Sequence, residues 1–447
     1  MNTLPLITGL GLDGMIAWLP RGPRRVRDFL ADAEALSARL PAGHALLNMC
    51  RDRYHFAVGF AAGLISGKIS LQPASQSAET LVRIRSDFPD VVCLCDDDFD
   101  TLDLPRWDFP DLSAADPQEV TDIPRIPADQ VAAILFTSGS TGLPQPHCKT
   151  WGRLVANGRA EAAALGLERT PHTLVGTVPV QHSYGFESTF LLALHGGCAF
   201  WSGKPFYPQD IAAALEAVPH PRLLVTTPFH LSTLLASGID LPAIDHLLSA
   251  TAPLPAALAA TAEARTGAPL NEIYGSTESG QLASRRTTEG PAWTLLPGVR
   301  LEQDADTTYA CDGHVEGRVA LSDVIELLPD RRFLLHGRHA DLINIAGKRT
   351  SLAYLNHQIA AVPGVLDAAF FLPDDETAGG VTRLTAFVVA PTLDSRQLLA
   401  ALRPRIDAVF LPRPAIFVDA LPRDSTGKLP RNALQALYEE KIHHAIG

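Results

Sequence analysis

Short apolar runs alternate along the chain with longer amphipathic stretches. The runs at 45–49, 91–94, 132–136, 174–178, 223–226 and 246–249 have the length of strands. Between them, 54–66 reads as an apolar helix, and 154–165, 208–217, 228–236 and 255–266 read as further helices. Such alternation predicts an α/β architecture with mainly parallel sheets. From 299 to 335 the runs become short and polar-interrupted, with turn signals at Asp312-Gly313 and Pro329-Asp330. That suits small antiparallel strands closing a large domain. Beyond 341 the order is helix (353–362), strands (365–371 and 384–389) and helix (395–401), a compact α+β unit of roughly 105 residues. The expected fold class is α/β. Residues 1–338 form a large domain of mainly parallel sheets flanked by helices, with a small antiparallel barrel-like part. Residues 339–447 form a small mobile α+β domain, with a hinge at 338–341. Residues 439–447 read as a frayed end.

Composition sharpens this picture. A chain of 447 residues exceeds the usual single core, so two domains are the default. The net charge of -12 argues against a nucleic-acid-binding face. Acidic and basic side chains balance beyond 341, so the deficit lies before it, and the C-terminal part could accept an acidic partner through arginines such as Arg349, Arg403, Arg405 and Arg423. The cysteines Cys50, Cys93, Cys95, Cys148, Cys198 and Cys311 include no CxxC and sit mostly in apolar runs. Buried free thiols in a reducing cytoplasm are expected. The first residues lack a basic stretch followed by a long apolar one, and no apolar run is long enough to span a bilayer.

The candidate chemistry starts at Thr137-Ser138-Gly139-Ser140-Thr141-Gly142, directly after an apolar strand. Glycines let backbone amides approach an anion, and three hydroxyls add donors for phosphate oxygens. It is not a Walker loop, because Leu143 stands where that loop needs lysine. A conventional P-loop kinase or ATPase is disfavoured for that reason. Gly9, Gly11 and Gly14 fit GxGxxG without a convincing preceding strand, and His443-His444 reads as a polar tail.

Three further segments follow: Tyr274-Gly275-Ser276-Thr277-Glu278, then Gly337-Arg338 through Asp341 to Gly347, then Gly427-Lys428. In this order and spacing the four resemble the adenylate-forming superfamily of acyl-CoA synthetases, luciferases and peptide-synthetase adenylation domains. The resemblance runs from about residue 46 to 431. It implies that the loop at 137–142 grips the β- and γ-phosphates of ATP. A flat ring such as Tyr274 suits a purine, the Thr277 hydroxyl suits the α-phosphate, and Glu278 with Thr141 suits Mg²⁺. Residues 249–254, including Thr251 and Ala252, resemble the segment bordering the adenine; Asp323 and Arg338 stand where the family contacts the ribose. His182 matches a residue that gates the acyl pocket. By resemblance alone, Phe186, Phe229, His230 and Ser249 form that pocket with a polar end. Gly347 would let a pantetheine arm pass, with Lys348 and Arg349 near its phosphate, and Lys428 would be the catalytic lysine of adenylation.

The chain departs from the family in two places. Ala340 occupies the hinge position, and Gln145 replaces the usual lysine after Pro144. Either Lys149 reaches back to the phosphate loop or backbone holds the phosphate. The form GSTG-x-P-x-P-H-x-K-x-W looks like ligases of bacterial aryl polyene and xanthomonadin pigment pathways. That likeness implies an aromatic acid such as 4-hydroxybenzoate and an acyl carrier protein as acceptor, with coenzyme A as the alternative. A non-catalytic nucleotide binder is the other alternative; intact Thr141, Glu278, Asp323 and Lys428 argue against it.

Overall fold

The computed structural model describes residues 2–73, 78–97, 104–138, 144–305, 307–338, 342–345, 348–373, 384–424 and 427–446. Among these, two large sheets build the N-terminal domain. A six-stranded sheet runs in the order Pro144–Thr150, Val131–Ser138, Ile69–Gln72, Ala45–Asn48, Val92–Cys95, Arg106–Asp108; its first pair is antiparallel and the rest are parallel. An eleven-stranded sheet has a parallel centre of Leu270–Ser276, His246–Ser249, Arg222–Thr226, Thr173–Gly176, Ala199–Trp201 and Met15–Leu19, with antiparallel strands at both ends. Strands buried on both faces read as unbroken apolar runs. Accordingly Leu223, Leu224, Val225, Leu247 and Leu248 are fully buried.

The helix Arg53–Ile65 is apolar on all sides because it lies inside the main core. Asp52 caps it, accepting from the amides of Tyr54 and His55. Its first residue, Arg53, is buried and donates to four carbonyl oxygens: Trp201 at 3.0 Å, Gly203 at 2.8 Å, Gly176 at 3.3 Å and Val178 at 3.0 Å. Burial lowers the guanidinium to about 10, still well above neutral pH. One charged side chain thus ties this helix to two parallel strands and to the segment leading to His182.

The small antiparallel part expected after residue 299 is a three-stranded sheet, Arg300–Asp304, Thr307–Cys311 and Arg318–Ala320. The C-terminal domain carries a three-stranded sheet (Asp367–Phe371, Thr385–Val389, Ala415–Phe417) and the helices Leu352–Ala360, Ser395–Leu402 and Arg431–Ile446. Leu355, Ile359, Val388 and Leu398 form its own core. The end expected to fray is helical through Ile446, because Leu434, Leu437 and Tyr438 pack on Phe371 and Phe387. The expected hinge residues Ala340 and Asp341 lie outside the described residues.

The strands and helix before residue 38, the strand Ile69–Gln72 and the helix Ala78–Asp87 are additions to the expected elements. Gly9 has a packing role: at φ +87°, an added Cβ would lie 2.9 Å from Gly197 Cα. Five of the six cysteines are buried and free as expected; Cys148 is exposed. No helix among the described residues is long and apolar enough to cross a membrane.

Candidate active site

The phosphate-loop segment joins two paired strands, with Ser138 opposite Pro144. The residues between them, including Gly139, Ser140, Thr141 and Gly142, lie outside the described residues, as does the side chain of Ser138. Thr137 is described: its hydroxyl is hydrogen-bonded to His147 Nε2 at 3.0 Å. Side chains alternate along the outgoing strand Pro144–Thr150, so His147 and Lys149 share a face and Cys148 takes the other. His147 lies 3.9 Å from the Glu278 carboxylate. Burial outweighs that carboxylate and keeps the His147 imidazole below its usual value. Lys149 is buried, and its ammonium donates to the Glu278 carbonyl oxygen at 2.7 Å. Burial lowers its pKa, opposed by Glu187, Glu316 and Glu278. Lys149 is therefore tied to the Glu278 turn. Next to it, Thr150 donates to Glu316 through both its amide (2.8 Å) and its hydroxyl (2.6 Å).

Thr277 and Glu278 occupy the turn between Leu270–Ser276 and Gly280–Arg286. The chains approach so closely that a Cβ on Gly275 would collide with the Gly280 carbonyl. The Tyr274 ring packs 5.7 Å from Trp293 and 5.6 Å from Phe333, and its hydroxyl donates to Asp323 Oδ2 at 2.8 Å. The residues expected at the purine and the ribose are thus adjacent. Backbone register sets Arg338 opposite Asp323; the Arg338 side chain lies outside the described residues. Asp323→Ala is expected to raise the KM for ATP about tenfold or more, because hydrogen bonds to a charged group are worth about 1.5–3 kcal/mol each. An unchanged KM in steady-state kinetics would remove Asp323 from the nucleotide site.

A cavity of about 300 Å³ brings together Thr137, His182, Thr251, Gly275, Thr277, Glu278 and Lys428. Thr251 sits at φ +79°, a strained conformation for a β-branched residue, and half-buried Ala252 follows it. The Ser183 hydroxyl lies 3.3 Å from that of Thr277. Burial, reinforced by the Lys428 ammonium, brings the His182 imidazole down to about 4, so it is neutral at pH 7. Lys428 sits in a closed turn: its amide donates to Asp424 Oδ1 at 2.9 Å, and the Asp424 amide donates back to its carbonyl at 2.8 Å. Gly427 has φ +80°, and an added Cβ would lie 2.8 Å from Phe229 Cβ.

The four residues expected to line the acid pocket are not in this cavity. Phe229 is 42% exposed and seats the Gly427 turn. Phe186 is fully buried against Phe56, Phe60 and Phe190. His230 is buried between the hydroxyls of Thr177 and Thr227, each 3.1 Å from Nδ1. Ser249 is buried at a strand end, its hydroxyl without a partner among the described residues. The reason lies partly in the helix after His182, which widens to a π turn over Phe186–Leu191. Its altered register turns Phe186 into the core and Glu187 to the cavity. Glu187, Gln281, Tyr184 and His147 escaped sequence reasoning, and Lys149 was read there only as an alternative hold on the phosphate loop. The signals were the strand alternation at His147 and Lys149, and one acid in the apolar run FESTFLLAL. Of the expected tunnel residues, Gly347 lies outside the described residues. Lys348 begins the strand Lys348–Ser351, and its side chain is also outside them.

The AMP-binding enzyme family matches residues 47–314, and the AMP-binding enzyme C-terminal domain matches residues 355–428. The chain is 32% identical over 308 residues to a 4-coumarate–CoA ligase of Rhodobacter capsulatus, covering 67% of this chain and 75% of that protein. It is 24% identical over 366 residues to a 2-succinylbenzoate–CoA ligase of Bacillus licheniformis, covering 73% and 74%. ATP-bound MatB from Rhodopseudomonas palustris shares the fold with a TM-score of 0.81 at 20% identity, over 96% of each chain. The anthranilate CoA ligase AuaEII in complex with anthranoyl-AMP gives 0.81 at 16% identity, over 97% of this chain and 98% of that one.

Proposed function

The chain belongs to the AMP-binding enzyme family, and from that premise we propose an ATP-dependent acid–thiol ligase. A carboxylate oxygen attacks the α-phosphorus of ATP, the bond to pyrophosphate breaks, and an acyl adenylate forms. A thiol then attacks the acyl carbon, and AMP leaves as its bond to that carbon breaks. The observation carrying this reading is that His182, Thr277, Glu278 and Lys428, from three distant parts of the chain, line one cavity. The Lys428 ammonium offsets the charge that builds at phosphorus. Neutral His182 borders the carboxylate without adding charge, and the Thr277 hydroxyl donates to the α-phosphate. Glu278, 40% exposed, is the carboxylate that would hold Mg²⁺. One carboxylate completed by phosphate oxygens is a donor set that this ion takes. Mg²⁺ would supply positive charge against the departing pyrophosphate. For the second half-reaction the small domain turns, withdrawing Lys428 and bringing Gly347 and Lys348 to the acyl carbon.

The acid is aromatic, such as 4-hydroxybenzoate. The form of the phosphate loop supports this, as do relatives named for 4-coumarate and 2-succinylbenzoate. The acceptor is the pantetheine thiol of an acyl carrier protein, supported by the same loop form and by a small domain without net charge. Arg403 and Arg405 are exposed there, whereas Arg423 is held by Asp367 at 2.7 and 2.8 Å. Coenzyme A is the second reading, favoured by relatives named as CoA ligases. Pyrophosphate release should depend on an aromatic acid. Thioester should then form on holo carrier protein and weaken as salt rises. Release that ignores the acid would sink the ligase reading; faster, salt-insensitive transfer to coenzyme A would replace the carrier protein.

A further inference from the structure

One side of the cavity is lined by Glu187, one of whose carboxyl oxygens accepts no hydrogen bond among the described residues. Thr137, His182, Ser183, Thr277 and Lys428 border both this cavity and a smaller neighbouring one, whereas Glu187 and Gln281 border only the first. Glu187 also stands four residues beyond Ser183, within the π turn, whereas Ser183 is the residue that meets Thr277. The two groups thus stand apart from the end where the carboxylate is activated.

Both are nearly fully buried, Glu187 at 6% and Gln281 at 2% exposure. Asn157 donates to Glu187 Oε1 at 3.2 Å; Oε2 accepts no hydrogen bond among the described residues. Gln281 is oriented by a chain of two bonds. Its Nε2 donates to Ser188 Oγ at 2.7 Å, and that hydroxyl donates to Glu161 Oε1 at 2.6 Å. Gln281 Oε1 is buried without a partner among the described residues. Native interiors satisfy such acceptors through protein groups, ordered water or a bound molecule.

We propose that Glu187, in a cavity wall it shares with Gln281, reads the end of the acid remote from its carboxylate, and that the acid it selects carries a hydrogen-bond donor there, a ring hydroxyl or an aryl amine. The inference rests on the acid-activating reading above. Burial raises the Glu187 carboxyl, and the Lys149 ammonium opposes that rise. A site built to bond a donor rejects analogues lacking it, because its own polar groups are then stranded.

The test is kcat/KM for pyrophosphate release with benzoates bearing 3-hydroxy, 4-hydroxy, 4-amino, 4-methoxy or 4-methyl groups. The best donor-bearing acid is expected to exceed the 4-methyl analogue by at least about a hundredfold. Glu187→Leu should cut the donor acid far more than the methyl analogue, collapsing the ratio to about tenfold or less, while still binding ATP as a check on folding. Glu187→Gln, which keeps an acceptor, should retain most of the preference. Equal use of methyl and hydroxyl acids by the wild type, or an unchanged ratio in Glu187→Leu, would overturn the inference and leave the ligase reading intact. No release with any acid would remove the ligase reading, and this inference with it.

Discussion

Lys428→Ala is expected to slow acyl-adenylate formation about 10²–10³-fold, the loss typical of removing one preorganised donor from a developing charge. Thiol transfer from a supplied acyl adenylate should stay within a few-fold of wild type. The asymmetry follows from position. Lys428 shares the cavity with Thr277 and His182, but it is carried by a turn whose glycine rests on Phe229, a residue of the other domain. A group delivered by a docked turn serves the step during which that turn is docked. Its ammonium also helps keep His182 neutral, so the variant should relax that imidazole upward from about 4 without bringing it to its ordinary value, since burial is the larger cause. Single-turnover assays of the two half-reactions decide the matter. Equal loss in both would mean that the lysine acts on a shared state, or only on folding.

The largest effect on stability should come from Arg53→Met. The substitution keeps the length of the side chain but strands four carbonyl oxygens, of Trp201, Gly203, Gly176 and Val178. A buried acceptor left unsatisfied costs about 1–3 kcal/mol, so a total loss of about 3 kcal/mol or more is expected. Arg53→Lys should fall between, since one ammonium cannot reproduce the planar fork. The measurement is the unfolding midpoint in urea or on heating, with the adenylation rate followed in parallel. A Met variant within about 0.5 kcal/mol of wild type would show that water or neighbouring groups satisfy those carbonyls.

The sequence was most legible where chemistry is local or burial is symmetrical. The strands 222–226 and 246–249 stood out because both faces are covered at their centres, so Leu223, Leu224, Val225, Leu247 and Leu248 had to be apolar. The segments at 274–278 and 427–428 stood out because tight turns restrict residue type: Gly275 faces the Gly280 carbonyl, and Gly427 combines a positive φ with the approach of Phe229. The acid pocket was illegible for the opposite reason. A π turn breaks the 3.6-residue period by which a buried Phe186 and a cavity-facing Glu187 would be told apart. Lys149 was ambiguous because a long flexible stem can reach either way; in the structure it is buried and bonded to the Glu278 carbonyl. Arg53 gave no signal, since its partners are backbone atoms more than a hundred residues away.

The ties made by Lys149 and Thr150 have a mechanical consequence. The strand carrying them belongs to the six-stranded sheet, whereas Glu278 belongs to the eleven-stranded one and Glu316 to the small antiparallel part. One apolar core is shared by both sheets, with Leu46, Leu94 and Leu135 from the first and Leu174, Leu223 and Leu248 from the second. The polar ties of Lys149 and Thr150 lie beside the cavity and clamp that seam where Thr137 of one sheet faces Thr277 at the edge of the other. Substitutions there would loosen the cavity locally while the shared core keeps the sheets together.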